Sequence, residues 1–299
     1  MGKKLVPRSV RSTIIEIILR LSNVKKLYCT EKDVKQYLQK KAQAIQEYLP
    51  PKNILKKCVI NKIKDMTYYT IEGKNDKVVI YLHGGAFVEQ PLIFHWYFLN
   101  KIRRKTKATV MMPIYLLAPQ NTYKQSYKLL LDFYKSILKQ TSPENIIFMG
   151  DSAGGGMCLS FALLLKDKKL PQPSDIVMLS PCLDITFKNP NIEKYNKVDP
   201  LLDSKGIRKI CASWIGDEDP NSYILSPING NLKNLGELTL FVGTHEILYP
   251  DAVLFREKCE KENIKLNYYE YPKMNHVFPI YPIPEGEKAR KQIIKIIKK

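Results

Sequence analysis

The chain has 299 residues, 44% of them hydrophobic, which is enough to bury a sizeable core and too apolar for a disordered chain. Forty-eight Lys and Arg against 29 Asp and Glu give a formal charge of +19, but the lysines are scattered over loops and helix faces. No arginine-rich stripe with interleaved aromatics forms, which excludes nucleic acid as the expected partner.

The N-terminal segment is basic at Lys3, Lys4, Arg8 and Arg11 and then turns apolar. Glu16 and Arg20 interrupt the apolar run and no small-residue cleavage site follows, so a helix is expected there rather than a secretion signal. Its residues Ile14, Ile15, Ile18, Leu19 and Leu21 share one face, expected to lie on the core with the charges in water. A second helix is predicted from Thr30, whose hydroxyl and Asp33 three residues on suit a capping box, and it ends before Pro50-Pro51.

The stretch "CVINKIKDMTYYTIE" (58–72) is rich in β-branched and aromatic residues and reads as strands, closed by a turn at Gly73. From Lys77 a rhythm sets in. The run "VVIYL" reads as a buried strand, and "ATVMM", "NIIFM", "DIVMLS", "ELTLFVG" and "KLNYYEY" read as further strands. Helical patterns over 92–105, 122–140, 153–166, 203–214 and 250–262 separate them, and a last helix closes the chain. Strands that are apolar throughout and alternate with helices predict an α/β fold: a parallel sheet covered on both faces. Chemistry in such sheets gathers at the C-terminal ends of the strands.

The unusual residues stand at those ends. Gly150-Asp-Ser152-Ala-Gly154 fits G-x-S-x-G, in which a serine occupies a sharp strand-to-helix turn and its small neighbours let helix and strand approach. "YLHGGAF" places Gly84, Gly85 and Ala86 just past another strand, where backbone N–H groups, with that of Ala153, could hold an oxyanion. His83 is read as shaping that loop rather than as a base. Of the four histidines, only His276 follows the final strand, and the order serine, acid, histidine makes it the expected base. Between them "FVGTHEILYPDA" offers Glu246, directly after its strand, and Asp251, in the first turn of the next helix. Glu246 is the expected triad acid and Asp251 is expected to favour the helix N-terminus.

Together these motifs resemble the hormone-sensitive-lipase-like family of α/β-hydrolases, a group of carboxylesterases and acetyl esterases. "HGGAF", "YLLAPQ", "GDSAGGG", "LSPCLDIT", "GTHEILYPDA" and "NHVFP" carry the likeness over roughly 78–280, with Ala86 in place of a third glycine, Glu246 where aspartate is usual, and Leu116 and Gln120 replacing an arginine and a glutamate. The resemblance implies an α/β-hydrolase fold with a mostly parallel eight-stranded sheet. It implies one domain over 1–299, capped by helices from 1–50 and about 185–215, with Trp214 and Phe87 lining an apolar pocket. It also implies a serine carboxylesterase acting on short- to medium-chain esters through an acyl-enzyme, with no metal and no organic cofactor.

Other readings fit less well. A trypsin-like protease would be all-β and carry its histidine and aspartate before the serine. A receptor-like relative would lack His276, and a deacetylase or amidase would use the same site. Weak contact of the basic termini, including "KQIIKIIKK", with an anionic membrane is the remaining alternative. The six cysteines are dispersed, form no C-x-x-C pair and read as reduced thiols, so a cytoplasmic location is expected.

Overall fold

The computed structural model describes residues 8–44 and 48–299, so the sequence reading of Lys3 and Lys4 lies outside the described residues. Eight strands form one sheet: β1 (Val59–Ile63), β2 (Met66–Ile71), β3 (Val78–Leu82), β4 (Thr109–Pro113), β5 (Ile146–Asp151), β6 (Asp175–Leu179), β7 (Glu237–His245) and β8 (Leu266–Asn275). Their order is β1-β2-β4-β3-β5-β6-β7-β8. β2 pairs antiparallel with both β1 and β4, and every later pairing is parallel. The β-rich stretch at 58–72 is therefore a hairpin added to the edge of a parallel sheet.

Among the described residues, ten α-helices complete the fold. They are α1 (Val10–Leu21), α2 (Glu31–Gln43), α3 (Lys52–Leu55), α4 (Ile93–Thr106) and α5 (Tyr123–Ile137), then α6 (Ser152–Asp167), α7 (Ile192–Asn196), α8 (Ser204–Ile215), α9 (Tyr249–Lys261) and α10 (Pro284–Ile297). The central strands β3, β5 and β6 are buried throughout, and their side chains alternate between the two faces of the sheet. In β3, Val78, Ile80 and Leu82 join a core with α5, α6, α8 and α9, while Val79 and Tyr81 join a second core with α4 and α10. β5 divides in the same way, with Phe148 on one side and Met149 on the other. Burying each such side chain contributes about 1.5–3 kcal/mol, so the central strands fix the sheet and with it the positions of their C-terminal ends.

The predicted capping box of α2 is present: the Thr30 hydroxyl accepts from Asp33 N–H at 3.2 Å and Asp33 accepts from Thr30 N–H at 3.2 Å. α10 buries Ile293, Ile296 and Ile297, as its pattern suggests. α1 does not follow its pattern. Its buried residues are Ser12 and Glu16, whereas Ile14, Ile18 and Leu21, with Val10 and Ile17, are exposed. Only Ile15 among its apolar residues packs on the second core. The physical reason is a polar anchorage. Glu285 at the start of α10 accepts from Ser9 N–H at 2.7 Å and from the Ser12 hydroxyl. Glu16 pairs with Arg8 at 2.5 Å, Arg20 at 2.7 Å and His245 at 3.1 Å. These groups hold the polar side of α1 inward, and the expected apolar face is turned out.

Candidate functional site

Ser152 is the first residue of α6 and sits where β5 ends, with φ of +52°. A non-glycine residue in the left-handed region is strained by about 1–3 kcal/mol unless its surroundings hold it there. Here they do. Gly150 and Gly154 flank the corner, and a Cβ at 150 would lie 2.5 Å from the Gly154 carbonyl oxygen, while one at 154 would overlap the Leu82 carbonyl. Only glycine lets β5, β3 and α6 meet this closely, and the turn lifts the serine side chain into a cavity.

His276 follows β8 and reaches Ser152 from the other side. Its Nε2 accepts from the Ser152 hydroxyl at 2.9 Å, and its Nδ1–H donates to Glu246 Oε2 at 2.6 Å. Glu246 is fully buried. Its second oxygen accepts from Gly243 N–H and from the Ser180 hydroxyl, each at 2.8 Å. Ser180 in turn accepts from Val277 N–H at 3.0 Å, so one hydroxyl ties the acid to the histidine loop. Burial by itself would depress the His276 pKa, but the hydrogen bond and charge of Glu246, with Asp199 and Asp151 beyond, outweigh it and raise the imidazole above its ordinary 6.5.

Asp251 is not brought to His276. It lies in the first turn of α9, as its position implied, but it is buried there. Its Oδ1 accepts from Asn189 at 2.8 Å, and among the described residues Oδ2 has no partner. Burial, opposed by the Asn189 hydrogen bond and reinforced by Asp184, pushes this acid up to about 7. Desolvation therefore overrides the expected favour of the helix N-terminus.

The loop after β3 turns through positive φ at Gly85 (+123°), Ala86 (+51°) and Phe87 (+65°). The Gly85 carbonyl accepts from Val88 and Glu89 N–H at 3.0 and 2.9 Å, which closes the turn. Gly84 corrects the sequence reading. Its N–H donates to Asp151 Oδ1 at 2.9 Å and is committed there, so Gly84 cannot serve as an oxyanion donor. Ala153 is the second residue of α6, where an N–H has no intrahelical acceptor.

His83 is buried, stacks on Tyr115 with ring centroids 4.3 Å apart, and donates from Nδ1 to the Gly84 carbonyl at 2.9 Å. Burial lowers its pKa to about 4, so it stays neutral and shapes the loop, as its sequence position suggested.

Asp151 was given no role by the motif, yet it organises the floor. Besides Gly84 it accepts from the Tyr81 hydroxyl at 2.6 Å, and His95 Nε2 lies 3.2 Å away. His95 Nδ1 accepts from Leu92 N–H at 2.9 Å, which leaves Nε2 as the protonated nitrogen that donates to Asp151. Burial would raise this carboxyl, but His95, Tyr81 and Gly84 outweigh it and hold it below its usual range. Asp199 is a second buried acid without a sequence signal. It accepts from Leu201, Leu202 and Ile247 N–H at 2.8–2.9 Å, joining the 185–215 segment to the residue after Glu246. Ser180 did leave a signal: a lone hydroxyl at the C-terminal end of the apolar run "DIVMLS".

The cavity holding Ser152 and His276 measures about 350 Å³ and is lined mainly by apolar side chains. Val24, Leu27, Tyr28 and Tyr37 enter it from the N-terminal segment, and Leu202, Ile207 and Cys211 enter from the 185–215 segment. Phe87 lines it as anticipated, but Trp214 does not. Trp214 lies behind Phe87, stacked on it at 4.9 Å, and supports the wall without reaching the space.

A serine on the turn after the fifth strand, a histidine after the eighth and an acid after the seventh, on a mostly parallel eight-stranded sheet, define the α/β-hydrolase architecture. Residues 79–280 match the sequence profile of the alpha/beta hydrolase fold. An esterase of Acinetobacter venetianus is 30% identical over 217 residues, spanning 71% of this chain and 72% of its own length. An acetyl-hydrolase of Streptomyces hygroscopicus is 26% identical over 219 residues, spanning 72% and 73%. A solved Staphylococcus aureus structure superposes with a TM-score of 0.86 at 30% identity, over 93% of this chain and 96% of that one. The chain belongs to the alpha/beta hydrolase family, and the relatives it matches are an esterase and an acetyl-hydrolase.

Proposed function

We propose that this hydrolase is a serine carboxylesterase that cleaves short- to medium-chain esters through an acyl-enzyme. The observation that carries the reading is the unbroken chain of hydrogen bonds from Ser152 Oγ to His276 at 2.9 Å and from His276 to Glu246 at 2.6 Å, opening into an apolar cavity. Ser152 attacks the ester carbonyl while His276 Nε2 takes its proton. Glu246 holds the Nδ1–H tautomer and stabilises the imidazolium. The N–H groups of Gly85, Ala86 and Ala153 receive the oxyanion. His276 then gives its proton to the leaving alcohol, and water repeats the sequence on the acyl-enzyme.

The segments 8–44 and 185–215 act as a cap in this reading, because both contribute apolar side chains to the cavity wall. The cavity volume of about 350 Å³ supports a preference for acyl chains of modest length. All six cysteines are unpaired thiols, in keeping with a cytoplasmic site of action. Among the described residues no helix is long and apolar enough to cross a membrane.

The test is Ser152→Ala. It should abolish labelling by a fluorophosphonate and nearly all hydrolysis of p-nitrophenyl butyrate while leaving the thermal midpoint in place. Labelling that persists on another serine sinks the reading.

A further inference from the structure

α1 is inside out for a helix that packs on a protein. Its anchored face is Ser12 and Glu16, and Val10, Ile14, Ile17, Ile18 and Leu21 are 50–75% exposed along the opposite side. The C-terminal end of this stripe leads to the cavity. Past Leu21 the chain continues into Val24 and Leu27, which line the cavity, and Leu27 is itself exposed. The N-terminal end of α1 is held by Glu285, four residues beyond the cavity-lining Tyr281. Across the mouth, Leu92 and Phe94 also line the cavity while lying largely exposed, and the Phe94 ring sits 6.4 Å from that of Tyr281. Exposed apolar side chains gathered in this way on a protein surface mark a binding site.

The charges around it choose the occupant. Between residues 8 and 44 stand nine Lys and Arg against three Asp and Glu, and Glu16 is already consumed by Arg8, Arg20 and His245. Arg11 and Lys26, beside the stripe, are exposed. A second copy docked through this face would bring like charges together. An anionic bilayer would not, and it suits a helix with one apolar side and cationic flanks lying in the interface plane.

We propose that the outer face of α1 and the rim formed by Leu27, Leu92 and Phe94 are one docking surface for an anionic lipid bilayer, which delivers bilayer-dissolved esters to Ser152. The proposal rests on the esterase reading. In the docked state the α1 stripe lies among headgroups and upper acyl chains, and the cavity mouth opens toward the same layer.

The test compares the full chain with an Ile14→Gln/Ile18→Gln/Leu21→Gln variant. None of these three residues lines the cavity, and all three are exposed, so folding and dissolved-ester turnover should be unchanged. The readouts are sedimentation with vesicles of phosphatidylcholine plus phosphatidylglycerol or of phosphatidylcholine alone, and hydrolysis of dissolved p-nitrophenyl butyrate. The wild type should sediment with the anionic vesicles, less at high salt, and poorly with phosphatidylcholine alone.

The triple variant should partition roughly 100-fold more weakly, from the apolar area it no longer buries. Arg11→Gln/Lys26→Gln should lose about fivefold per charge, and only on anionic vesicles. No binding by the wild type, or equal binding by the triple variant, overturns the proposal. So does a wild-type dimer that the triple variant converts to monomer, which would assign the face to a second copy. Vesicle binding without any butyrate hydrolysis would instead fault the esterase reading and leave the lipid surface standing.

Discussion

α1 and α10 carry similar material and turn it in opposite directions. Both are rich in isoleucine and studded with basic residues, and both pack on the same side of the sheet. α10 lays Ile293, Ile296 and Ile297 on the core, while α1 inserts a serine and a glutamate and leaves Ile14, Ile17 and Ile18 in water. Periodicity locates an apolar stripe but does not say which way it faces. That is decided by what the neighbouring surface offers. The sheet offers α10 the apolar side chains of the second core. It is the start of α10 and the C-terminal end of β7 that meet α1, with Glu285 and the His245 imidazole as partners. A helix docked on polar groups buys position rather than stability, and this contrast between a packed body and a tethered N-terminal segment can be tested by substitution.

The largest effect should come from the body, at the proposed triad. In Glu246→Gln the amide oxygen can keep the hydrogen bonds from Gly243 and Ser180, but its NH₂ then faces His276 Nδ1 and selects the tautomer with its proton on Nε2. Turnover should fall roughly 10³–10⁴-fold while the thermal midpoint hardly moves. The pH profile should move as well. In the wild type the proposed base, His276, must lose its proton, and its pKa lies above the ordinary 6.5, so kcat/KM should rise with pH through a midpoint above that value. Without the Glu246 charge, burial is less opposed and the midpoint should shift down. A profile that does not move, with turnover intact, would remove Glu246 from the triad. Deleting Ser9 or Ser12 hydroxyls on α1 should alter neither readout.

Next in size is the comparison of the two helices themselves. Ile293→Ala should cost about 2–5 kcal/mol in chemical denaturation, because it opens a cavity in a packed core. Ile18→Ala, on the exposed stripe, should stay within about 0.5 kcal/mol. Equal losses would mean that α1 packs through its apolar face after all.

How much of this was legible in the sequence depends on which physics wrote it. The strand ends were readable because hydrophobic runs stop abruptly at glycine, serine and histidine, and few other placements satisfy both the turn geometry and the buried strand. Ser152, His276 and Glu246 meet as their order implied, although three residues from distant loops had to converge. What was hidden lay in pairings between segments far apart in the chain. Gly84 looked like a donor until Asp151 claimed its N–H, and Asp199 carries no local pattern at all. The inversion of α1 depends on Glu16 finding Arg8, Arg20 and His245 together, and no period of 3.6 residues encodes the last of these.

That tether gives a smaller, local effect. Burial would raise the Glu16 pKa, but His245, Arg20 and Arg8 outweigh it and lower the group from 4.5 to about 2. A carboxyl depressed in the folded state contributes stability above its unfolded pKa and loses it as pH falls through the folded one. Docking of α1 should therefore hold down to about pH 4.5 and fail progressively toward pH 2. Glu16→Gln should hasten limited proteolysis within α1 by about tenfold at neutral pH, since it weakens charge-assisted hydrogen bonds. The thermal midpoint of the body should scarcely respond. If the variant unfolds the whole chain together, α1 belongs to the packed body and the contrast drawn above fails.

The smallest effect concerns Asp251, the carboxyl that the body buries without a full set of partners. Its position at the start of α9 suggests that losing the charge should cost about 0.3–1 kcal/mol through the helix dipole. The burial argues the opposite sign. The folded chain keeps this proton until about pH 7, whereas the unfolded chain releases it near the ordinary 3.8. Between those values the folded state binds more protons than the unfolded one, so this group makes stability fall as pH rises, and the decline ends above about 7. Asn at 251 can still accept from Asn189 and cannot ionise. Asp251→Asn should therefore gain stability relative to the wild type as pH increases across that window, and its turnover should match the wild type because the side chain does not touch His276. Thermal midpoints of the two proteins on either side of the window decide the matter. A variant less stable than the wild type at the alkaline end would mean that the helix N-terminus, and not desolvation, governs the charge at this position.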